Sequence, residues 1–430
     1  MRRAQQRTLG IAVIAATCTF LLAQQPRMPD LVSADGFIGS APQQLFAYSW
    51  QGMAYSRSSY WIGDHRMIDG LMLDADNETI LINYSWPGRE DVVALRAGQG
   101  QTLFRLPGER IVGPILLDQS GDVVLTRGSA STQLCRMRRD GSTVSTIAAL
   151  PGGGWSLSQD LDSGDFLVGD LVFSGGQLWR VRVDGAVTTI VGPNPRYTWG
   201  PMCADYKAGG LVGIATYDGF TRWIRIQLDP TFQVTSIHIP PFTPSNTGSS
   251  GPAIFESVRL FGILHFTLAP SQPAVREISS FGGPYVDHPV LGQQIVSASF
   301  IRPVIVGERK LTGRGPAQAG SSYLLNLNFP GEANKQYQSA ASLALRPGLE
   351  LGAGTYIPLH PDAVFIRSLS DNLQFQGFGG VLDAQGKAAA AWNIPGAPGL
   401  RGFRVFFAAV TYDGNGIRVV SNPIGVTILP

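Results

Sequence analysis

Residues 162–191 read DSGDFLVGDLVFSGGQLWRVRVDGAVTTIV. Three short apolar or alternating runs, FLVGDLVF, QLWRVRV and AVTTIV, are separated by Gly, Ser and Asp-Gly. Runs of that length divided by turn residues predict antiparallel strands joined by hairpins. WSLSQ at 155–159 supplies another strand just upstream, so the stretch predicts a four-stranded meander.

The same pattern recurs on both sides. Third-strand runs ending in a turn occur at 134–141 (LCRMRRDG), 178–185 (LWRVRVDG) and 222–230 (RWIRIQLDP). Asp140 and Asp184 are 44 residues apart, Asp184 and Asp229 are 45, and Trp179 and Trp223 are 44. Each is preceded by two apolar runs around a turn, at 114–128, 156–170 and 202–216, with one further copy at 70–84. Asp74, Asp118 and Asp162 follow one another at intervals of 44, which predicts equivalent turn positions. A fixed period of this size, with four strands per unit, predicts an all-β propeller.

The unit reads as apolar strand, Asp and Gly turn, apolar strand, then a polar-facing strand ending in Asp-Gly. In this it resembles the NHL and SMP-30-like six-bladed β-propellers, over about residues 68–240. The resemblance implies a ring of blades and leaves activity open, because that fold hosts lactonases, lyases, scaffolds and binding modules. QLFAYSWQG at 44–52 aligns with QLWRVRVDG at 177–185, an offset of 133, or three periods. The repeat is therefore expected to begin at a third strand. Its missing inner strands would come from 295–307, so residues 44–50 should share a sheet with a strand from 290–307. Six blades are expected within residues 40–310. Five and seven are the alternatives, because the fifth unit, at 252–282, is short.

The period ends near residue 311. LTGRGPAQAG at 311–320 reads as a linker. Residues 321–430 hold about seven new strand runs, which predict a β-sandwich. This part is similar to the C-terminal sandwich modules appended to secreted bacterial propeller proteins. Asp413 and Asn415 read as a hairpin turn, because a calcium loop would need further oxygen ligands at fixed spacing.

At the N-terminus, Arg2, Arg3 and Arg7 precede an apolar run at 9–23 that is short for a membrane span. Residues 1–23 read as a secretory signal cleaved after Ala23. A lipid anchor on Cys18 is the alternative. Cleavage removes three of 33 basic residues and none of 31 acidic ones, moving the net charge from +2 to −1. A secreted, periplasmic or cell-surface location follows, with no integral span in the mature chain. There is no electrostatic case for nucleic acid. A glycan, a peptide or a cell-surface protein is the expected partner. The Arg136, Arg138 and Arg139 cluster reads as an exposed strand face. Cys135 and Cys203 fall on strands two units apart and are expected to stay unbridged.

Loops leading into the innermost strands of a propeller crowd around one end of its channel. Here they are WIGDHRMID, LPGERIVG, LPGGGWS, NPRYTWGP and GGPYVDHP. Their candidate ligand-binding residues are His65, Arg66, Trp155, Arg196, Tyr197, Tyr285 and His288. An aromatic rim with an arginine suits a sugar, a peptide or another flat ligand. His65 and His288 each follow an Asp and lie 223 residues apart, five periods, which suggests a shared metal. A third histidine in these loops is missing, so no cofactor is expected, with a divalent metal on that pair as the alternative. Neither a Gly-x-Ser-x-Gly elbow nor a cysteine beside a suitable histidine is present. The expected function is an exported non-catalytic binding or scaffold protein that uses the channel mouth. The alternatives are a metal-dependent lyase or hydrolase at the same mouth, and a structural envelope or matrix component. Turns between first and second strands, such as 118–121 and 162–164, are expected to offer little.

Overall fold

The computed structural model describes residues 31–35, 44–62, 67–73, 79–86, 89–96, 99–106, 111–128, 132–154, 156–170, 176–194, 197–217, 220–228, 233–238, 247–249, 253–255, 259–266, 274–279, 285–291, 304–306, 310–351 and 355–429. These fall into two compact units. One holds the described residues of 28–118 and 122–307, the other those of 119–121 and 308–430.

The first unit is a β-propeller. Its N-terminal strands are β1 (Leu31–Asp35), β2 (Gln44–Trp50) and β3 (Tyr55–Ile62). Set one follows: β4 (Met67–Leu73), β5 (Thr79–Trp86), β6 (Arg89–Arg96) and β7 (Gln99–Leu106). Set two is β8 (Ile111–Leu117), β9 (Val123–Arg127), β10 (Thr132–Met137) and β11 (Val144–Leu150). Set three is β12 (Ser156–Gln159), β13 (Phe166–Gly169), β14 (Leu178–Val181) and β15 (Val187–Val191). Set four is β16 (Tyr197–Ala204), β17 (Leu211–Tyr217), β18 (Phe220–Gln227) and β19 (Gln233–His238). Sets one to four are each a separate sheet of antiparallel neighbours in chain order. Set five is β20 (Thr247–Ser249) and β21 (Ala253–Phe255), both paired with β22 (Arg259–Phe266), then β23 (Ala274–Ser279) and β24 (Tyr285–Leu291). It extends beyond the expected 252–282 at both ends.

The ring closes through the N-terminus. β25 (Val304–Val306) pairs with β1, β1 with β2 and β2 with β3, all antiparallel. Residues 44–50 thus share a sheet with a strand from 290–307, as the offset of 133 predicts. The chain joins the repeat one strand earlier than expected, because β1 fills the second position and only the innermost strand comes from the far end. First strands adjoin in a closed circle: β25 meets β4, β4 meets β8, β8 meets β12, β12 meets β16, β16 meets β21, and β21 meets β25.

Burial within a set follows from that stacking. Each sheet lies between two others, so its inner strands are covered on both faces and can be apolar throughout. β13 (FLVG) is buried at all four residues and β9 (VVLTR) at its first four. β15 (VTTIV), at the outer edge, has none buried. The Asp-Gly turns that mark the period have a packing reason. Gly141 and Gly185 take φ of +73° and +89°, which favours glycine. A Cβ at Gly185 would also lie 2.5 Å from the Ile147 carbonyl oxygen on β11, and one at Gly141 would meet the Leu103 carbonyl on β7. Each turn therefore rests against the outer strand of the preceding set.

The second unit holds two main sheets. Its strands are β26 (Leu311–Arg314), β27 (Ser322–Asn328), β28 (Gln336–Ser342), β29 (Leu349–Glu350), β30 (Tyr356–Ile357), β31 (Phe375–Gln376), β32 (Gly379–Val381), β33 (Lys387–Asn393), β34 (Arg404–Asp413), β35 (Gly416–Val420) and β36 (Ile424–Thr427), with a short α-helix, α1 (Ala363–Ser368), and a 3-10 turn at Pro398–Leu400. One sheet runs β26-β27-β33-β31; the other runs β32-β28-β34-β35, with β36 also on β34. Both contribute to one core, where Tyr323, Leu325, Leu327 and Trp392 meet Tyr337, Ala341, Phe407 and Val426. Trp392 and Phe407 touch between the sheets, with ring centroids 5.3 Å apart.

The supposed linker at 311–320 is corrected. Leu311–Arg314 is a strand, pairing Leu311 with Leu327 and Arg314 with Leu324. Leu311 and Ala317 are core residues. Gly313 is not there for flexibility: a Cβ would collide with the Tyr323 ring.

Candidate functional site

Of the loops leading into first strands, the one before β12 is described over Pro151–Gly154. It is tightly packed. A Cβ at Gly152 would lie 2.8 Å from the Trp179 ring and 2.9 Å from an Asp170 carboxylate oxygen. One at Gly154 would lie 2.6 Å from Thr126 Cγ2. The buried Thr126 hydroxyl, on β9 of the neighbouring set, donates to the Gly154 carbonyl at 2.7 Å. The triple glycine is thus a spacer that lets two sheets close on the backbone. Trp199 has a similar role: it is buried among Leu167 and Leu178 of set three and Leu211 and Ile224 of its own set. Its indole N–H donates to the Gly176 carbonyl at 2.8 Å. These tryptophans pack one set against the next.

Tyr197 is the first residue of β16 and pairs with Tyr217, so its backbone stands where a loop becomes an innermost strand. His65, Arg66, Trp155 and Arg196 lie outside the described residues. Tyr285 and His288 are corrected. They sit within β24, which follows β23 at the outer side of set five, and not in a loop leading into a first strand. Asp287-His288-Pro289 interrupts the alternation in YVDHPVL, and a run that looks like another strand follows, which concealed this. His288 Nε2 lies 2.9 Å from Glu277 Oε2, and its ring meets Trp50 edge-on. The equivalence that suggested a metal between His65 and His288 therefore fails at His288.

The opposite end, built from first-to-second turns, carries the chemistry that composition alone hid. Asp118, Asp160 and Asp205 are buried, each two residues beyond a first-strand residue that is in register with an arginine on the third strand. Leu116, Val124 and Arg136 form one such row. Ser158, Leu167 and Arg180 form the next, and Cys203, Val212 and Arg225 the third. Each arginine crosses the second strand to reach its aspartate. Arg136 Nε is 2.7 Å from Asp118, Arg180 Nη2 is 3.5 Å from Asp160, and Arg225 Nη2 donates to Asp205 at 3.0 Å.

The same carboxylates hold their turns. Asp118 accepts from the Asp122 N–H, and Asp160 from the Asp162 N–H and the Ser163 hydroxyl. Asp205 accepts from the N–H groups of Lys207 and Ala208. A carboxylate so engaged, beside a guanidinium, is a structural anchor. Two expectations are corrected here. Arg136 is bound to a buried acid and is not a purely solvated residue. The turn residue equivalent to Asp118 is Asp160, not Asp162. The signal was legible as an aspartate ending a first-strand run, with an arginine 18 to 20 residues later.

In the second unit, Arg418 donates to Glu332 at 2.7 Å and to Asp413 at 3.1 Å, and Lys335 also donates to Asp413 at 3.1 Å. The Glu332 hydrogen bond holds the Arg418 guanidinium above its ordinary pKa. The Asn415 N–H, then Lys335, holds Asp413 below the usual carboxylate range. Asp413 pairs with Gly416 across the turn, so it closes a hairpin, as its sequence predicts. Ser342, His360 and Asp362 are neighbours without forming a nucleophile relay. The Ser342 hydroxyl lies 2.9 Å from Asp362, while His360 turns Nδ1 toward the Pro347 carbonyl at 3.1 Å. Asp362 is the N-cap of α1, accepting from the Phe365 N–H.

Among the described residues, no group of three or more His, Cys, Asp or Glu could hold a metal, and no helix is long and apolar enough to cross a membrane. No family model matches the chain, and no curated protein matches it. Solved structures similar to it include TolB from Acinetobacter baumannii, at 10% identity and a TM-score of 0.48, over 64% of this chain and 66% of that one. A streptogramin B lyase is similar at 12% identity and a TM-score of 0.39, over 57% and 78% of the two chains. A protein from Lactobacillus plantarum is similar at 10% identity and a TM-score of 0.41, over 70% and 93%. Likeness at this level adds nothing to function. The propeller stands on its own sheets.

Proposed function

We propose that this chain is an exported, non-catalytic binding or scaffold protein, a six-bladed propeller followed by a β-sandwich. Its ligand, a glycan, a peptide or a cell-surface protein, binds at the end of the propeller where loops lead into the first strands. The observation that carries this reading is the closed circle β25, β4, β8, β12, β16, β21. Loops that feed a ring of strands bring side chains from different sets toward one axis, and a site needs convergence. From their places in the sequence, the residues assigned to that end are His65, Arg66, Trp155, Arg196 and Tyr197. Tyr285 and His288 lie in β24 instead. The other end is less suited, because Asp118, Asp160 and Asp205 are already matched by arginines and turn N–H groups. Export rests on the basic and apolar N-terminal segment.

The test is binding of the mature chain to a panel of glycans, cell-wall fragments and peptides, compared with Trp155→Ala/Tyr197→Ala. Saturable binding weakened about tenfold or more in the variant is expected, since aromatic residues dominate such contacts. Undiminished binding in the variant would move the site elsewhere. Stoichiometric metal in the purified chain, lost in His65→Ala, would replace this reading with the metal-dependent enzyme.

A further inference from the structure

The seam between set five and the N-terminal strands is built differently from the others. Sets one to four are separate sheets, whereas β24 pairs with β3, in parallel, through Val290 with Tyr55 and Leu291 with Ser56. Among the described residues this is the one seam at which neighbouring sets are joined by strand pairing. Side chains reinforce it. Trp50, at the end of β2 and paired with Tyr55, meets the His288 ring on β24 with centroids 5.3 Å apart and planes at 83°. The His288 ring is held from behind by Glu277 on β23, at 2.9 Å. At the inner side of this seam β21 meets β25, and β25 is itself tied to the N-terminal strands, inside their own sheet, by three residue pairs with β1, from Leu31 with Val306 to Ser33 with Val304.

A physical reason accounts for this doubling. The N-terminal strands and residues 285–306 are far apart in sequence, so closing the ring costs more chain entropy than stacking two consecutive sets. Three inner residue pairs are a small latch. An edge-on aromatic contact and an outer parallel pair add to it at the opposite rim.

We propose that Trp50, His288 and the β24–β3 pair form an outer clasp that holds the ring shut. The N-terminal strands together with β25 then open and close as one unit, separately from sets two to four.

Native-state hydrogen exchange of the full mature chain tests this. In the wild type, amides of β1 and β25 should share one opening rate, faster than those of β9 and β13. Trp50→Ala and His288→Ala should each speed exchange in β1–β3 and β25 by about tenfold, the upper range for an aromatic pair, with β8–β19 unchanged. His288→Phe, which keeps an aromatic edge, should recover most of the protection lost in His288→Ala. Equal acceleration across all sets, no acceleration, or no recovery in His288→Phe would each overturn the clasp. If Trp50→Ala does not fold, the wild-type comparison decides: β1 and β25 exchanging as slowly as β9 would end the proposal.

Discussion

Arg225, on the third strand of its sheet, reaches across the second strand to Asp205, the residue just past the end of the first, Nη2 donating to Oδ2 at 3.0 Å. Asp205 is 2% exposed, so truncating its partner strands a charge away from water. Arg225→Ala should lower the urea midpoint by the equivalent of about 3 kcal/mol. Arg225→Ala/Asp205→Ala should lose less than the two single changes together. Arg136 is 40% exposed on its side chain, so Arg136→Ala should cost less than Arg225→Ala. The reverse order would mean that burial does not set the strength of these pairs.

Gly154→Ala places a methyl 2.6 Å from Thr126 Cγ2 and disturbs the Thr126 hydrogen bond. A loss of about 1–3 kcal/mol is expected from overpacking at a buried seam. Gly192→Ala, whose Cβ meets nothing within 4 Å, is the control. Similar thermal midpoints for the two variants would show that the loop before β12 can move aside.

Cys135 is buried on β10 and Cys203 is partly buried on β16, and neither is in a disulfide. Alkylation without reductant or denaturant should modify Cys203 first. Denaturation should then release one more thiol per chain, by intact mass. Faster labelling of Cys135 would contradict the packing of set two.

Asp362 gives a pH signature. Burial pushes its pKa up, but the N–H groups of Phe365 and Leu343 and the Ser342 hydroxyl outweigh it and hold it below the ordinary 3.8. A carboxylate depressed on folding adds stability that is fully present above its unfolded value and lost as pH falls through its folded one. Asp362→Ala should therefore cost about 1 kcal/mol at pH 7, with the gap to wild type closing below about pH 4. A gap that widens in acid would rule out the cap as its source.

Much of the architecture was legible beforehand. The 44-residue spacing of Asp140 and Asp184 marked the sets, and the glycine after each has a required backbone conformation and a close neighbour. The offset between residues 44–52 and 177–185 announced closure through the N-terminus. The short β1 run, LVSAD, was missed because five residues without a flanking partner carry no period. The site was less legible. His288 looked like a loop residue because DHP interrupts the apolar alternation, yet the strand continues through it as an outer strand.

Sequence alone determined the local unit of this protein: strand lengths, turn positions and the repeat. These depend on side-chain alternation and turn chemistry, which act between residues a few positions apart. Tertiary structure decided which aspartate an arginine reaches, that Asp160 and not Asp162 is the buried one, that Leu311 belongs to a core, and that His288 faces Trp50. Those outcomes depend on which strand lies beside which and in what register. A ring that joins Leu31 to Val306 sets that arrangement through burial and pairing across the whole chain, and no short window of residues contains it.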